Sequence, residues 1–108
     1  MPRAQDVHHR KWSKERILFD NGWYSVIAGD YEGEPRLGER WNGENAEVGF
    51  PSQGKTSLWH NAPEFLEVPI LHGLLDELAR NPSKEGQARV PDILRELERV
   101  VRRQNAEE

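Results

Sequence analysis

The sequence predicts an α+β fold: an antiparallel meander of about four strands over residues 16–61, followed by two C-terminal helices, 69–80 and 91–104, packed on one face of the sheet. Three observations predict it. Arg16 to Asn61 is a run of short β-type segments punctuated by Gly and Pro. Asn21-Gly22 stands between two apolar, β-rich runs, and both residues tolerate the positive φ of a type I′ hairpin turn. Beyond Pro63 the apolar residues recur at helical spacing, as in a helix with one buried stripe. Strands first and helices afterwards is the α+β order.

Met1 to Glu15 is polar and reads as a flexible tail, as do residues 105–108, leaving a single domain over 16–104. Residues 16–20 form the first strand. A two-residue loop at Asn21-Gly22 would place Asp20 opposite Trp23, Phe19 opposite Tyr24 and Ile17 opposite Val26. Strand side chains alternate between faces. Ile17, Phe19, Tyr24, Val26 and Ala28 therefore share one face, the more continuously apolar and the expected core. Leu18, Trp23, Ser25 and Ile27 take the other.

Glu32 to Pro35 supplies the second reversal, with Gly and Pro where a tight turn needs them. In the third strand Leu37 and Trp41 extend the core face, and Glu39 between them is the awkward member. Asn42 to Lys55 is a Gly-containing polar loop, and Thr56 to Asn61 is the fourth strand.

Pro63 suits the first turn of a helix, and Glu64 and Glu67 fall near the positive end of its dipole. Pro69 interrupts the pattern, so a short turn at 63–67 precedes the main helix, whose stripe is Ile70, Leu71, Leu74, Leu75 and Leu78. Asn81-Pro82 stops it. Ser83 to Arg89 reads as a polar linker. Pro91 then opens the second helix, with the stripe Ile93, Leu94, Leu97, Val100 and Val101.

The totals exclude several classes of function. At 108 residues the chain has the length of one domain. Its formal net charge is −4, with signs interspersed, which offers no global attraction to phosphate backbones and disfavours a nucleic-acid partner. The absence of cysteine excludes disulfides, thiol nucleophiles and Cys-ligated zinc, and a reducing compartment is the natural expectation. No apolar signal region and no long apolar run are present, so a soluble cytoplasmic protein without a membrane partner is expected.

One formal motif match occurs. Gly49 to Thr56 satisfies the P-loop pattern G-x-x-x-x-G-K-[ST], with Lys55 as its cation. A true P-loop needs a helix starting at that Lys to face the phosphates. Thr56 onward is instead β-like and soon meets proline, and Pro51 removes one N–H from the cradle. A Gly-rich connection between strands accounts for it better.

Trp12, Trp23, Trp41 and Trp59 are many tryptophans for this length. Core packing explains such rings most simply. Trp23, on the face away from Phe19, could instead be exposed beside Arg36 or Arg40. Aromatics with Arg on an open sheet anchor protein interfaces or stack bases. Trp23, Arg36, Arg40, Lys55, Trp59 and His60 are accordingly the candidate binding residues.

His60 is followed by Glu64 and Glu67, the ingredients of an acid–base pair or a metal site, but nothing in the spacing brings the three together. His72 and Asp76 fit an exposed helical ion pair equally well, and His8-His9 lies in the tail. No hydrolase elbow or zinc-protease motif is present, and no motif calls for a cofactor or a metal. The stripe on the last helix is wider than a small meander needs, which permits a homodimer through Ile93, Leu97 and Val100.

Several short motifs taken together carry a resemblance. They are Asn21-Gly22-Trp23, Tyr31-Glu32-Gly33, Arg36 to Gly43, Gly49-Phe50-Pro51, Trp59, Pro63 and Ile70 to Leu75. Over roughly residues 16–80 the chain resembles small uncharacterised bacterial proteins, some carried on mobile elements such as integron gene cassettes. The resemblance implies an α+β fold and a dispensable accessory role, and it transfers no catalytic residue. The expectation is a non-enzymatic protein that recognises another macromolecule through exposed aromatics and Arg. The alternative is a small enzyme or ligand-binding protein in which His60, Glu64 and the Gly49–Thr56 loop converge.

Overall fold

The computed structural model describes Ala4, Val7 and residues 11–43, 49–53, 56–57 and 59–107. Four antiparallel strands form one sheet and two helices follow, so the fold is α+β. The chain divides into two compact units, Met1–Ala62 and Pro63–Glu108.

In the sheet unit, β1 (Trp12–Asp20), β2 (Tyr24–Tyr31) and β3 (Glu34–Trp41) form an antiparallel meander. β1 begins four residues before the expected strand. Its first residue, Trp12, is only 2% exposed and tilts its ring against Tyr31 at 5.4 Å between centroids. Ala4 and Val7 are buried as well. The polar surroundings of these three residues disguise them as tail, and the expected tail over 1–15 is corrected at their positions.

The first hairpin also differs in register. The Asn21 side-chain oxygen accepts from the N–H groups of Trp23 (2.9 Å) and Tyr24 (2.8 Å), an Asx turn that makes the loop three residues long. Asp20 therefore opposes Ser25 and Phe19 opposes Val26. An irregularity between Ile17 and Phe19 then shifts the pairing so that Ile17 opposes Ile27. An extra residue in one strand moves every following side chain to the other face. Ile17 consequently lies on the Ile27 face and Phe19 on the Val26 face, correcting the single apolar face expected of them.

Both faces carry core. Trp12, Ile27 and Trp59 cluster with Ala4 and Val7 on one, with Ile17 and Tyr31 at its margin. The Trp59 indole N–H donates to the Val7 carbonyl at 3.0 Å. On the other face Phe19, Val26, Ala28 and Leu37 are buried. Gly38 is needed where Trp12 crosses β3, because a Cβ there would lie 3.0 Å from the Trp12 ring.

The second reversal is tighter than the expected Glu32–Pro35 turn. Glu32 (φ 50°) and Gly33 (φ 86°) form a two-residue turn with both φ positive, the I′ geometry. Pro35 falls within β3, and the β2–β3 register runs unbroken from Tyr31↔Glu34 to Tyr24↔Trp41. The expected strand at 56–61 is split. Among the described residues β4 (Ser52–Gln53) and β5 (Thr56–Ser57) pair with each other in a separate sheet, and β6 (His60–Asn61) joins the main sheet beside β3.

In the helical unit a 3₁₀ turn, Glu64–Leu66, leads into α1 (Glu67–Arg80). α2 (Lys84–Glu107) begins well before Pro91, in the stretch expected to be linker, and ends beyond 104. Ser83 explains the start: its hydroxyl accepts the Gly86 N–H at 3.0 Å, an N-cap. Pro91 is inside the helix rather than at its first turn.

α1 and α2 pack on one another. Glu67, Leu71, Leu74 and Leu78 are buried on α1, and Ile93, Glu96 and Val100 on α2. Gly86 lies against Leu78, whose Cδ2 would be 2.4 Å from any added Cβ. The buried Glu67 carboxylate accepts from Arg103 at 2.9 Å, with Arg99 at 3.8 Å. Of the residues expected at a homodimer contact, Ile93 and Val100 are fully buried within the chain itself and Leu97 is partly buried; Leu94 and Val101 are the exposed members of that stripe. Among the described residues no helix is long and apolar enough to cross a membrane.

Candidate functional site

Directly opposed residues in an antiparallel sheet share a face, and so do residues two apart on one strand. Two adjacent rungs of this sheet bring rings, a carboxylate and an imidazole together. The first is Tyr24↔Trp41↔Phe50, continued past β3 by a bridge between Trp41 and Phe50. The second is Val26↔Glu39↔His60. Three rings in a row therefore stand beside a carboxylate and an imidazole on the same face.

These side chains line an open pocket of about 120 Å³: Tyr24, Glu39, Trp41, Phe50, Pro51 and His60, with Arg40 between two of them. Tyr24 and Trp41 meet edge to face, 5.0 Å between centroids and 62° between planes. The Tyr24 hydroxyl donates to Glu39 Oε2, and His60 Nδ1 lies 3.5 Å from Glu39 Oε1. The second separation is long for a hydrogen bond. Burial, then the neighbouring carboxylate, push the Tyr24 phenol well above its ordinary value. Glu39, the awkward member of an apolar face, is explained: its carboxylate is the hub of a Tyr–Glu–His chain.

The loop after β3 completes the pocket. Trp41 and Phe50 exchange two backbone hydrogen bonds, 2.7 and 2.9 Å, which return the chain onto β3. Gly49 (φ 79°) makes that return possible, since a Cβ there would lie 2.1 Å from the Trp41 carbonyl oxygen and 2.4 Å from Arg40 Nη2. At the other end of the loop the buried Asn42 accepts from Ser25 Oγ (2.8 Å) and donates to Asp20 Oδ1 (3.2 Å). Its N–H donates to the Trp23 carbonyl at 2.6 Å, tying the hairpin turn to the loop.

No protein-family model, no curated protein and no solved structure matches this chain.

The structure sorts the sequence-derived candidates. His60 is half-exposed and in the pocket. Trp23 is exposed, as expected, but at the hairpin turn rather than within a strand. Trp59 is buried core. Arg40 is 1% exposed, with its guanidinium 6.0 Å from the centre of the Trp59 ring, and burial lowers its pKa. Neither Trp59 nor the Arg40 side chain is therefore a surface contact, because both serve the Trp12–Ile27 face. Arg36 is on that face too, opposite Gly29, and pairs with Glu34 at 3.5 Å. Lys55 lies outside the described residues, as do His8 and His9.

The Gly49–Thr56 segment does meet His60, through Phe50 and Pro51. It is not a P-loop, because a strand rather than a helix begins at Thr56. Glu64 pairs with Arg103 at 3.4 Å in the helical unit, where Glu67 is also engaged. Among the described residues no three His, Asp or Glu side chains converge as a metal site. Asp76 pairs with Arg80 at 2.9 Å rather than with His72.

Sequence reasoning missed Tyr24, Glu39, Trp41 and Phe50 as site residues. The available signal was Glu39 itself: strand alternation already puts a carboxylate between Leu37 and Trp41 and beside Tyr24.

Proposed function

We propose that this is a non-enzymatic binding protein that recognises another protein through the ring-lined end of its sheet. One observation carries the reading. Trp23, Trp41 and Phe50 are 56%, 58% and 65% exposed, and backbone hydrogen bonds gather them at one end of the same sheet. Large rings exposed to water contribute little to folding there, and they are the residue types that dominate protein interfaces. Arg takes less part than composition suggests, because the Arg40 side chain is buried. An accessory role in the cytoplasm fits this reading, as do the lack of cysteine and the resemblance to mobile-element proteins.

The test is capture from a nuclease-treated native bacterial lysate, with Trp41→Ala and Trp23→Ala as control baits. The reading expects one stoichiometric protein partner, lost with Trp41→Ala. A partner retained by both variants, or no partner, would count against it.

A second reading is favoured by the Tyr24–Glu39–His60 chain. A carboxylate holding an imidazole and a phenol can orient a small ligand or move a proton. It predicts that His60→Ala abolishes whatever activity is found while protein capture is unchanged.

A further inference from the structure

We infer that the pocket between the two rungs seats a cationic side chain of the partner protein, a lysine ammonium in particular. This inference rests on the recognition reading and specifies its chemistry. Tyr24 and Trp41 meet edge to face, Phe50 continues the row, and Glu39 lies one rung away on the same face. Ring faces attract a cation through their quadrupole, and a carboxylate beside them supplies the counter-charge.

The carboxylate has capacity for such a guest. An ionised carboxylate offers about four acceptor positions. Tyr24 O–H takes one on Oε2, and His60 stands 3.5 Å from Oε1, too far to saturate it. The opening suits a slender group. About 120 Å³ admits an alkylammonium tip but not a folded peptide turn. Arg40, the nearest basic residue along β3, borders the pocket without turning its guanidinium into the row of rings. Its side chain points to the other face, where its guanidinium lies over Trp59.

The test uses n-butylammonium, which reproduces the lysine side chain, against 1-butanol, its neutral counterpart. Both are titrated into the full chain at matched ionic strength and followed by ¹H–¹⁵N NMR at the Trp41 indole and the His60 and Phe50 amides. We expect saturable shifts with butylammonium, binding about tenfold weaker for 1-butanol, and a similar loss for butylammonium in Glu39→Gln. Glutamine keeps an acceptor for the Tyr24 hydroxyl. Should that variant misfold, Trp41→Leu removes the ring without touching the core, and it must lose butylammonium while keeping 1-butanol. Equal binding of the two probes would overturn the cation proposal and leave an apolar socket, with the recognition reading intact. No shift with either probe would overturn it too. The recognition reading itself is decided separately, by protein capture with Trp41→Ala.

Discussion

Tyr24 and Glu39 stand on neighbouring strands, one rung apart on one face, and the phenol donates its proton to the carboxylate. Both partners favour the neutral phenol, since ionising it would place two anions side by side. The folded-state pKa is therefore raised above the ordinary 10.0. A group shifted this way contributes stability in full below its unfolded pKa and loses it as pH rises through the folded one. The expected outcome is one tyrosine that resists ionisation when absorbance at 295 nm is followed above pH 10, with stability declining over that range. In Glu39→Gln the resistance should diminish; a titration identical to wild type would contradict the assignment.

Tyr24→Phe removes the donor and leaves Glu39 Oε2 without it. Because the pair is only partly buried, the expected loss is about 1 kcal/mol in urea denaturation. The sheet should otherwise persist. A neutral result would mean that water replaces the phenol without penalty.

Gly49→Ala should detach the loop rather than unfold the sheet. The backbone there is left-handed, and the added Cβ would meet the Trp41 carbonyl oxygen at 2.1 Å, which cannot yield as a side chain can. Strain of this kind costs about 1–3 kcal/mol. The paired amides of Trp41 and Phe50 should lose protection in hydrogen exchange, while those of β1 and β2 keep theirs.

The period-two pattern of β2 and β3 is legible over Tyr24–Tyr31 and Arg36–Trp41, because a regular strand has one alternation, although Trp23 falls in the turn and Pro35 in the strand. That alternation puts Tyr24, Val26, Leu37, Glu39 and Trp41 on one face. β1 is not legible before Arg16, since Trp12 is buried by long-range packing and the register shifts after Ser13 and Ile17 have no local pattern to announce them. Pro91 misled by its usual preference for a first helical turn, and the actual cap at Ser83 is a polar residue in a stretch that reads as linker. The site was half legible. His60 and the loop stand out as chemistry in the sequence, but the pairing of Trp41 with Phe50 across a loop cannot be read from spacing.

In the helical unit the two kinds of ion pair should separate clearly. Glu67 is fully buried against Arg103 and Arg99, whereas Glu98 and its partner Arg102 are exposed. Removing the buried carboxylate takes its partner from two arginines that are themselves about a quarter exposed and that keep Glu64 (from Arg103, 3.4 Å) and Glu96 (from Arg99, 2.8 Å). Glu67→Ala should therefore cost about 2–3 kcal/mol, somewhat below the range for wholly buried pairs. Glu98→Ala should cost at most about 0.5 kcal/mol. Thermal denaturation of the two variants side by side checks the contrast.

Trp12 and Trp41 should part company in the same way. Trp12 fills the core and crosses Gly38, so Trp12→Ala should cost about 3–5 kcal/mol. Trp41 is mostly in water, and Trp41→Ala should stay within about 0.5–1 kcal/mol of wild type. If Trp41→Ala proved as damaging as Trp12→Ala, the exposed ring would be structural and the recognition reading would lose its main support.

The most direct measurement is the calorimetric affinity of the captured partner for wild type and for Trp41→Ala, made once both are shown to be equally folded. A central ring at a protein interface carries about 2 kcal/mol or more, so the account predicts at least a roughly thirtyfold loss. Affinities within about twofold of each other, below 0.5 kcal/mol, would contradict it.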